Sequence, residues 1–221
     1  MNILFEDNHL LIVNKSCGEI VQEDPSGDIS LEMKAKDYLK KKYDKSGEVF
    51  LGVVHRIDRP VSGIVIFART TKAQLRLNKM FQEKLIRKTY WALIKNPPPA
   101  ETGTLTHYIV RNTKKNRSYA RPDECAGSKK AVLHYRHIAS SDCYHLLEID
   151  LETGRHHQIR CQLAAIGCPV RGDLKYGYPR SNPNGGISLH ARRIQFTHPV
   201  TNEEIDLIAP LPDDSLWKIF E

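Results

Sequence analysis

Apolar and polar positions change period several times along the chain, and each change marks an element. Ile3–Phe5 and Leu10–Val13 are short apolar runs separated by Asp7-Asn8, which predicts two strands joined by a turn. Leu31, Ala35, Tyr38 and Leu39 then recur at helical spacing behind Ser30, a capping residue, with lysines on the opposite face. That pattern predicts a helix from Ser30 to about Tyr43. Val53–Val54 begins a strand, and Gly63–Ala68 is an unbroken apolar one, as expected where both faces are covered. Thr70 or Thr71 caps a second helix with Ala73, Leu77, Met80 and Phe81 on its buried face. Lys88–Ile94 returns to alternation before the Asn-Pro-Pro-Pro-Ala stretch closes it.

Beyond that point strands dominate: Thr104–Val110, Ala131–Ile138 and Tyr144–Leu151. The stretch NTKKNRSYARPDECAGSKK between the first two reads as a long polar and basic insertion. A helix from about His157 to Ile166 follows, then a loop rich in Gly, Pro and Asn. Strands at His190–Thr197 and Glu204–Ile208 and a short helix after Pro212 complete the chain. Strands outnumber helices and many neighbours are set up as hairpins. The expected class is α+β, with a mixed, mainly antiparallel central sheet and flanking helices and loops. The length suits one moderately large domain or two closely packed subdomains sharing a sheet; with no repeat or linker dividing the sequence, residues 1–221 are expected to form a single domain.

Composition narrows the function classes. At 221 residues and 40% hydrophobic, the chain can bury a sizeable core, yet its apolar runs are strand-sized and too short to span a membrane. The N-terminus has acidic interruptions and no basic leader, so a cytoplasmic address is expected. Five cysteines, an odd number with no Cys-x-x-Cys pair, argue for reduced thiols and against a disulfide framework or zinc knuckle. His156 and His157 are adjacent rather than four apart, so no metal is expected. A formal charge of +7 favours polyanionic partners, nucleic acid first.

Three stretches carry candidate chemistry. In VVHRIDRPVSGIVIFART, Val53 to Thr70, a charged cluster stands between two apolar runs. Burying such charge without a partner is costly. In extended chain Arg56 and Asp58 would face one way and His55 and Ile57 the other, with Pro60 keeping its predecessor out of helix. Asp58 is then either a turn-forming residue with Arg56 as a surface ion-pair partner, or a functional acid at the mouth between two strands. In ETGRHHQIRCQLAAIGCPVRGD, residues 152 to 173, Ile159, Leu163 and Ile166 mark a buried helical stripe with Arg160 beside it. Ala164 and Gly167 leave room for its guanidinium to lie against the protein and reach a carboxylate; the other reading is a stem that snorkels to solvent. Gly167, Pro169 and Gly172 need no more than a helix stop and a tight turn. In RKTYWALI, Tyr90 shares a face with Lys88, Ala92 and Ile94, so it is either core or a ring presenting its hydroxyl at a site edge.

Together these stretches resemble the RluA-type family of pseudouridine synthases. HRIDRPVSG is similar to the family's H-R-L-D-x-x-T-S-G signature, KTYWALI to its K-x-Y-x-A segment, and ETGRHHQIRCQLAAIGCPVRGDLKYG to its T-G-R-x-H-Q-I-R block. The opening ILFEDNHLLIVNKSCG and closing LHARRIQFTHPVTNEE also resemble family segments, in the family's order. Val61 stands where Thr is usual, and Ser16-Cys17 where Pro-x is common.

The resemblance implies a cofactor-free isomerase that converts uridines of structured RNA, ribosomal or transfer, to pseudouridine. It implies Asp58 as nucleophile, Tyr90 against the target base, and Arg160 paired with Asp58 to hold it ionised. Arg56 matches an arginine that enters the RNA stack as the base leaves it. His55, Lys88, Arg155 and His157 join it as candidate RNA contacts. Because the sequence starts at the first catalytic-domain strand, the S4-like RNA-binding domain of some relatives is expected to be absent, and a monomer is expected. From the basic insertion, Lys114, Lys115 and Arg117 around Tyr119 are candidate phosphate contacts, the alternative being a solvated loop. Two rivals stand beside this reading: a non-catalytic RNA-binding or RNA-folding protein of the same fold, and a hydrolase that frees the base. Glycoside hydrolases usually need two carboxylates, whereas these motifs offer one acid, two arginines and a tyrosine.

Overall fold

The structure, a computed structural model, describes residues 1–220. In chain order its elements are β1 (Asn2–Glu6), β2 (Leu10–Lys15), α1 (Leu31–Lys42), β3 (Gly52–Val53), β4 (Ser62–Ala68), α2 (Thr71–Gln82) and β5 (Arg87–Ile94). Then come β6 (Thr102–Asn112), β7 (Arg117–Arg121), β8 (Lys129–Ser140), β9 (His145–Leu151), α3 (Gln158–Ala165), β10 (Leu189–Thr197) and β11 (Glu204–Ile208). The class is α+β with mostly antiparallel strand pairing and three α-helices among the described residues, as the sequence predicts. Helix α1 starts where expected because the Ser30 hydroxyl accepts from the Met33 amide at 3.2 Å, and the Thr70 hydroxyl does the same for Ala73 at the start of α2. The terminal element is a 3₁₀ turn, Trp217–Phe220. Among the described residues no helix is long and apolar enough to cross a membrane.

The chain divides into two compact units. The first comprises Met1–Arg87 and Ala191–Pro212, with strand order β1-β2-β4-β10-β11 and β3 paired to β4. Strand β4 is buried at every position, lying between β2 and β10. The core joins Leu10, Ile12, Ile64 and Ile66 to Ala73 and Leu77 of α2 and Ile194 and Phe196 of β10. The β1–β2 turn is closed by the Asp7 carboxylate, which accepts from the His9 and Leu10 amides.

The second unit comprises Lys88–His190 and the residues from Asp213 on. Its strands run β5-β9-β8-β6-β7, all antiparallel. Helix α3 docks against the β6–β8 pair: the Gln162 amide donates to the Leu105 carbonyl at 2.9 Å, and Cys161 packs with Ile109, Ala131 and Tyr176. The polar stretch after Val110 contains a strand. Strand β6 continues to Asn112, and β7 folds back on it in register from Asn112 opposite Arg117 to Tyr108 opposite Arg121. In β7 only Ser118 is fully buried and Tyr119 and Arg121 are exposed, so the strand lacks the apolar alternation that signals one in sequence.

Candidate active site

Asp58 lies half-buried in the segment between β3 and β4. Its carbonyl accepts from the Val61 amide at 3.0 Å, which makes it the first residue of a turn that runs through Arg59 and Pro60. The alternation expected around it is present: Ile57 is buried and Arg56 exposed. His55 faces inward, where its Nε2 accepts from the Ile66 amide at 2.9 Å and its ring lies 5.0 Å from that of Phe81. That bond requires a lone pair on Nε2, so His55 anchors the segment to β4 in its neutral form. Gly63, in the Ser-Gly pair that opens β4, has φ +114°, and a Cβ there would stand 2.4 Å from the Ala191 carbonyl oxygen. Only glycine lets the strand approach β10 so closely.

Lys15, the last residue of β2, is 1% exposed. Its ammonium donates to the carbonyls of Ser16 (2.9 Å), Glu19 (2.8 Å) and Arg59 (3.1 Å). Burial pulls its pKa down to about 8 against the attraction of Glu19, Cys17 and Asp58. The Arg59 carbonyl also accepts from the Gly18 amide at 2.8 Å, and Arg59 Nε donates to the Gly18 carbonyl at 3.1 Å. The Asp58 turn is thus tied to the 15–19 loop through its neighbour's peptide. Sequence reasoning missed Lys15; its only signal was a lysine closing an apolar strand.

In the second unit Tyr90 is 9% exposed on β5, opposite Ile149 of β9. Lys88, two residues before it, is half-buried, which lowers its pKa, and Gly154 lies beside its ammonium: a Cβ there would be 3.6 Å away. Arg155 is exposed, and its Nε donates to the Lys130 carbonyl at 3.1 Å. His157 adopts the left-handed conformation, φ 52°, just before α3. Its ring is buried, stacked on His156 at 3.8 Å, with Nδ1 2.9 Å from the Tyr176 hydroxyl.

Arg160 does not snorkel. It is 4% exposed, and its Nε and Nη2 donate to the two carboxylate oxygens of Asp173 at 2.7 and 2.9 Å, with the Tyr176 ring 5.0 Å from the guanidinium. Asp173 is itself 1% exposed. It belongs to the Gly-Asp pair that the sequence marks only as a turn. On the hairpin, Lys114 and Lys115 are exposed in the turn, whereas Arg117 is packed, its guanidinium 5.3 Å from the Tyr119 ring and 5.2 Å from that of Tyr176. Among the described residues no three His, Cys, Asp or Glu side chains converge as metal ligands.

The chain as a whole is similar to known proteins. The family model for RNA pseudouridylate synthase matches residues 9–165. The chain belongs to the RNA pseudouridylate synthase family. The uncharacterized RNA pseudouridine synthase YhcT of Bacillus subtilis is 35% identical over 218 residues, covering 97% of this chain and 70% of that protein. Ribosomal large subunit pseudouridine synthase D of Zymomonas mobilis is 31% identical over 224 residues, with the same 97% and 70% coverage. The fold matches that of human RNA pseudouridylate synthase domain containing 4, with a TM-score of 0.80 and 23% identity over 96% of this chain and 89% of that one. As an RNA pseudouridine synthase the protein is an isomerase, and RNA is its substrate class.

Proposed function

We propose that this synthase isomerises a uridine of a structured ribosomal or transfer RNA, using Asp58 as the nucleophile and Tyr90 and Arg160 on the same nucleotide. The observation that carries this reading is the Asp58 turn: a half-buried carboxylate beside exposed Arg56, on backbone pinned by Lys15, Gly18 and His55. Such pinning suits an acid whose aim matters, because catalysis by positioning needs a fixed group. The reaction balances without a co-reactant. The N1–C1′ bond of uridine breaks, the carboxylate holds the sugar or the base while uracil turns, C5 bonds to C1′, and the C5 proton leaves to solvent as N1 gains one. A base within a duplex cannot turn in this way, so the target is extruded or already unpaired. Arg56 fills the gap the base leaves, and Tyr90 supports the turning ring. Arg160 supplies a fixed positive charge to the reaction. The relative named for the ribosomal large subunit favours ribosomal RNA as the first pool to try.

The test is tritium release from [5-³H]uridine-labelled ribosomal and transfer RNA with wild type and Asp58→Ala. Release by wild type alone, without free uracil, is expected, and the responding pool names the substrate. Release by the alanine variant would remove Asp58 from the chemistry. Free uracil would indicate a hydrolase, and RNA binding without release a non-catalytic binder.

A further inference from the structure

Arg160 sits on the inner side of α3, where every residue from Gln158 to Leu163 is buried. A guanidinium cannot escape burial by losing its proton. Its pairing with Asp173 therefore takes two full charges out of water, and a pair of that kind typically adds little net stability compared with apolar side chains of the same volume. What the pair does supply is direction. The carboxylate meets the Nε–Nη2 edge through two near-parallel hydrogen bonds, a geometry that fixes the plane and the rotation of the fork. The Tyr176 ring lies against that plane. Tyr176 is held in turn, since its hydroxyl accepts from the Ser118 amide at 2.8 Å and is paired with His157 Nδ1.

Asp173 is equally constrained. Its amide donates to the Val170 carbonyl, and its own carbonyl accepts from the Tyr176 and Tyr178 amides, each at 3.0 Å. Gly172 before it has φ +86°, and a Cβ there would lie within 2.6–2.8 Å of the buried Asn182 amide group. The loop that follows α3 is built to deliver one carboxylate to one edge of one arginine.

We propose that Asp173, with the Tyr176 ring beneath the guanidinium, is the positioning residue for Arg160 in the isomerisation. This rests on the assignment of Arg160 to the reacting nucleotide made above. Asp173 acts through Arg160 and touches no reacting atom.

The experiment compares wild type, Asp173→Asn, Arg160→Lys and the double variant, as single-turnover rates of tritium release from [5-³H]uridine-labelled RNA, with RNA affinity measured in parallel. Asparagine keeps the shape of the side chain and removes its charge. The expected result is a roughly 100-fold fall in rate for Asp173→Asn, the scale on which a small misplacement of a reacting group acts. RNA affinity stays at the wild-type value, and Asp173→Asn causes no further loss in the Arg160→Lys background. Equal losses in both backgrounds, or a wild-type rate for Asp173→Asn, would overturn the proposal. A wild-type rate for Arg160→Lys alone would instead overturn the assignment of Arg160. If the asparagine variant does not fold, Asp173→Glu carries the test, because it keeps the charge and displaces the carboxylate by one methylene. Positioning then predicts the same fall in rate, and charge compensation alone predicts the wild-type rate.

Discussion

His157 was expected from sequence to touch RNA, and the structure commits its ring to the protein interior. Burial, and after it the Arg160 guanidinium, pushes its pKa down to about 2, so it stays neutral in the folded chain. In the unfolded chain it titrates near 6.5. Between those values the unfolded state binds more protons, so this residue's contribution to stability is complete above about pH 6.5 and is lost progressively as the pH falls. Replacing it with Asn, which tolerates left-handed backbone, should flatten that dependence. Thermal melts from pH 8 to pH 5 are expected to show a smaller drop in Tm for His157→Asn than for wild type. Parallel curves would mean that His157 is not the buried neutral group described. Lys15 meets the same problem differently: burial lowers its pKa only to about 8, with Glu19, Cys17 and Asp58 opposing the fall, and its ammonium donates to three carbonyls. Neither outcome is legible from residue type, since both depend on what the fold brings within 3 Å.

At the scale of elements, the apolar and periodic stretches were readable. Ser30 and Thr70 cap where the pattern places them, and β4 is the fully buried strand that its unbroken apolar run implies. The hairpin strand β7 escapes a sequence reading for a physical reason: its exposed residues are Tyr119 and Arg121, Arg117 is polar yet packed, and only Ser118 is fully buried, so polarity hides the alternation. The loop after α3 looks in sequence like plain turn chemistry, because glycines announce a turn but not which carboxylate the turn delivers. Gly63 is the case where a sequence glycine has a steric reason: backbone at φ +114° with the Ala191 peptide in the place of a Cβ. Gly63→Ala must both strain that backbone and force β4 from β10, and it is expected to cost roughly 2–4 kcal/mol in urea unfolding. A loss below about 1 kcal/mol would show that the two strands have slack.

At the scale of the whole molecule the chain forms two compact units, the first assembled from residues 1–87 and 191–212. That division follows from pairing between strands distant in sequence, β10 lying beside β4 and carrying β11 on with it, and local composition carries no trace of it. Charge, by contrast, is a whole-chain property read directly. A net +7 gives long-range attraction for RNA, but it does not say which cations meet phosphate. The structure sorts the hairpin's candidates. Lys114 and Lys115 are exposed at its turn, while the Arg117 guanidinium lies against the Tyr119 and Tyr176 rings. Each lysine that neutralises a phosphate of single-stranded RNA adds about 0.7 to the slope of log affinity against log salt. Lys114→Ala with Lys115→Ala should therefore lower that slope by about 1.4. The rate of tritium release at saturating enzyme should hold, because neither lysine belongs to the proposed chemistry. A slope that does not move would leave the +7 charge acting through other cations and make the hairpin tip a solvated turn.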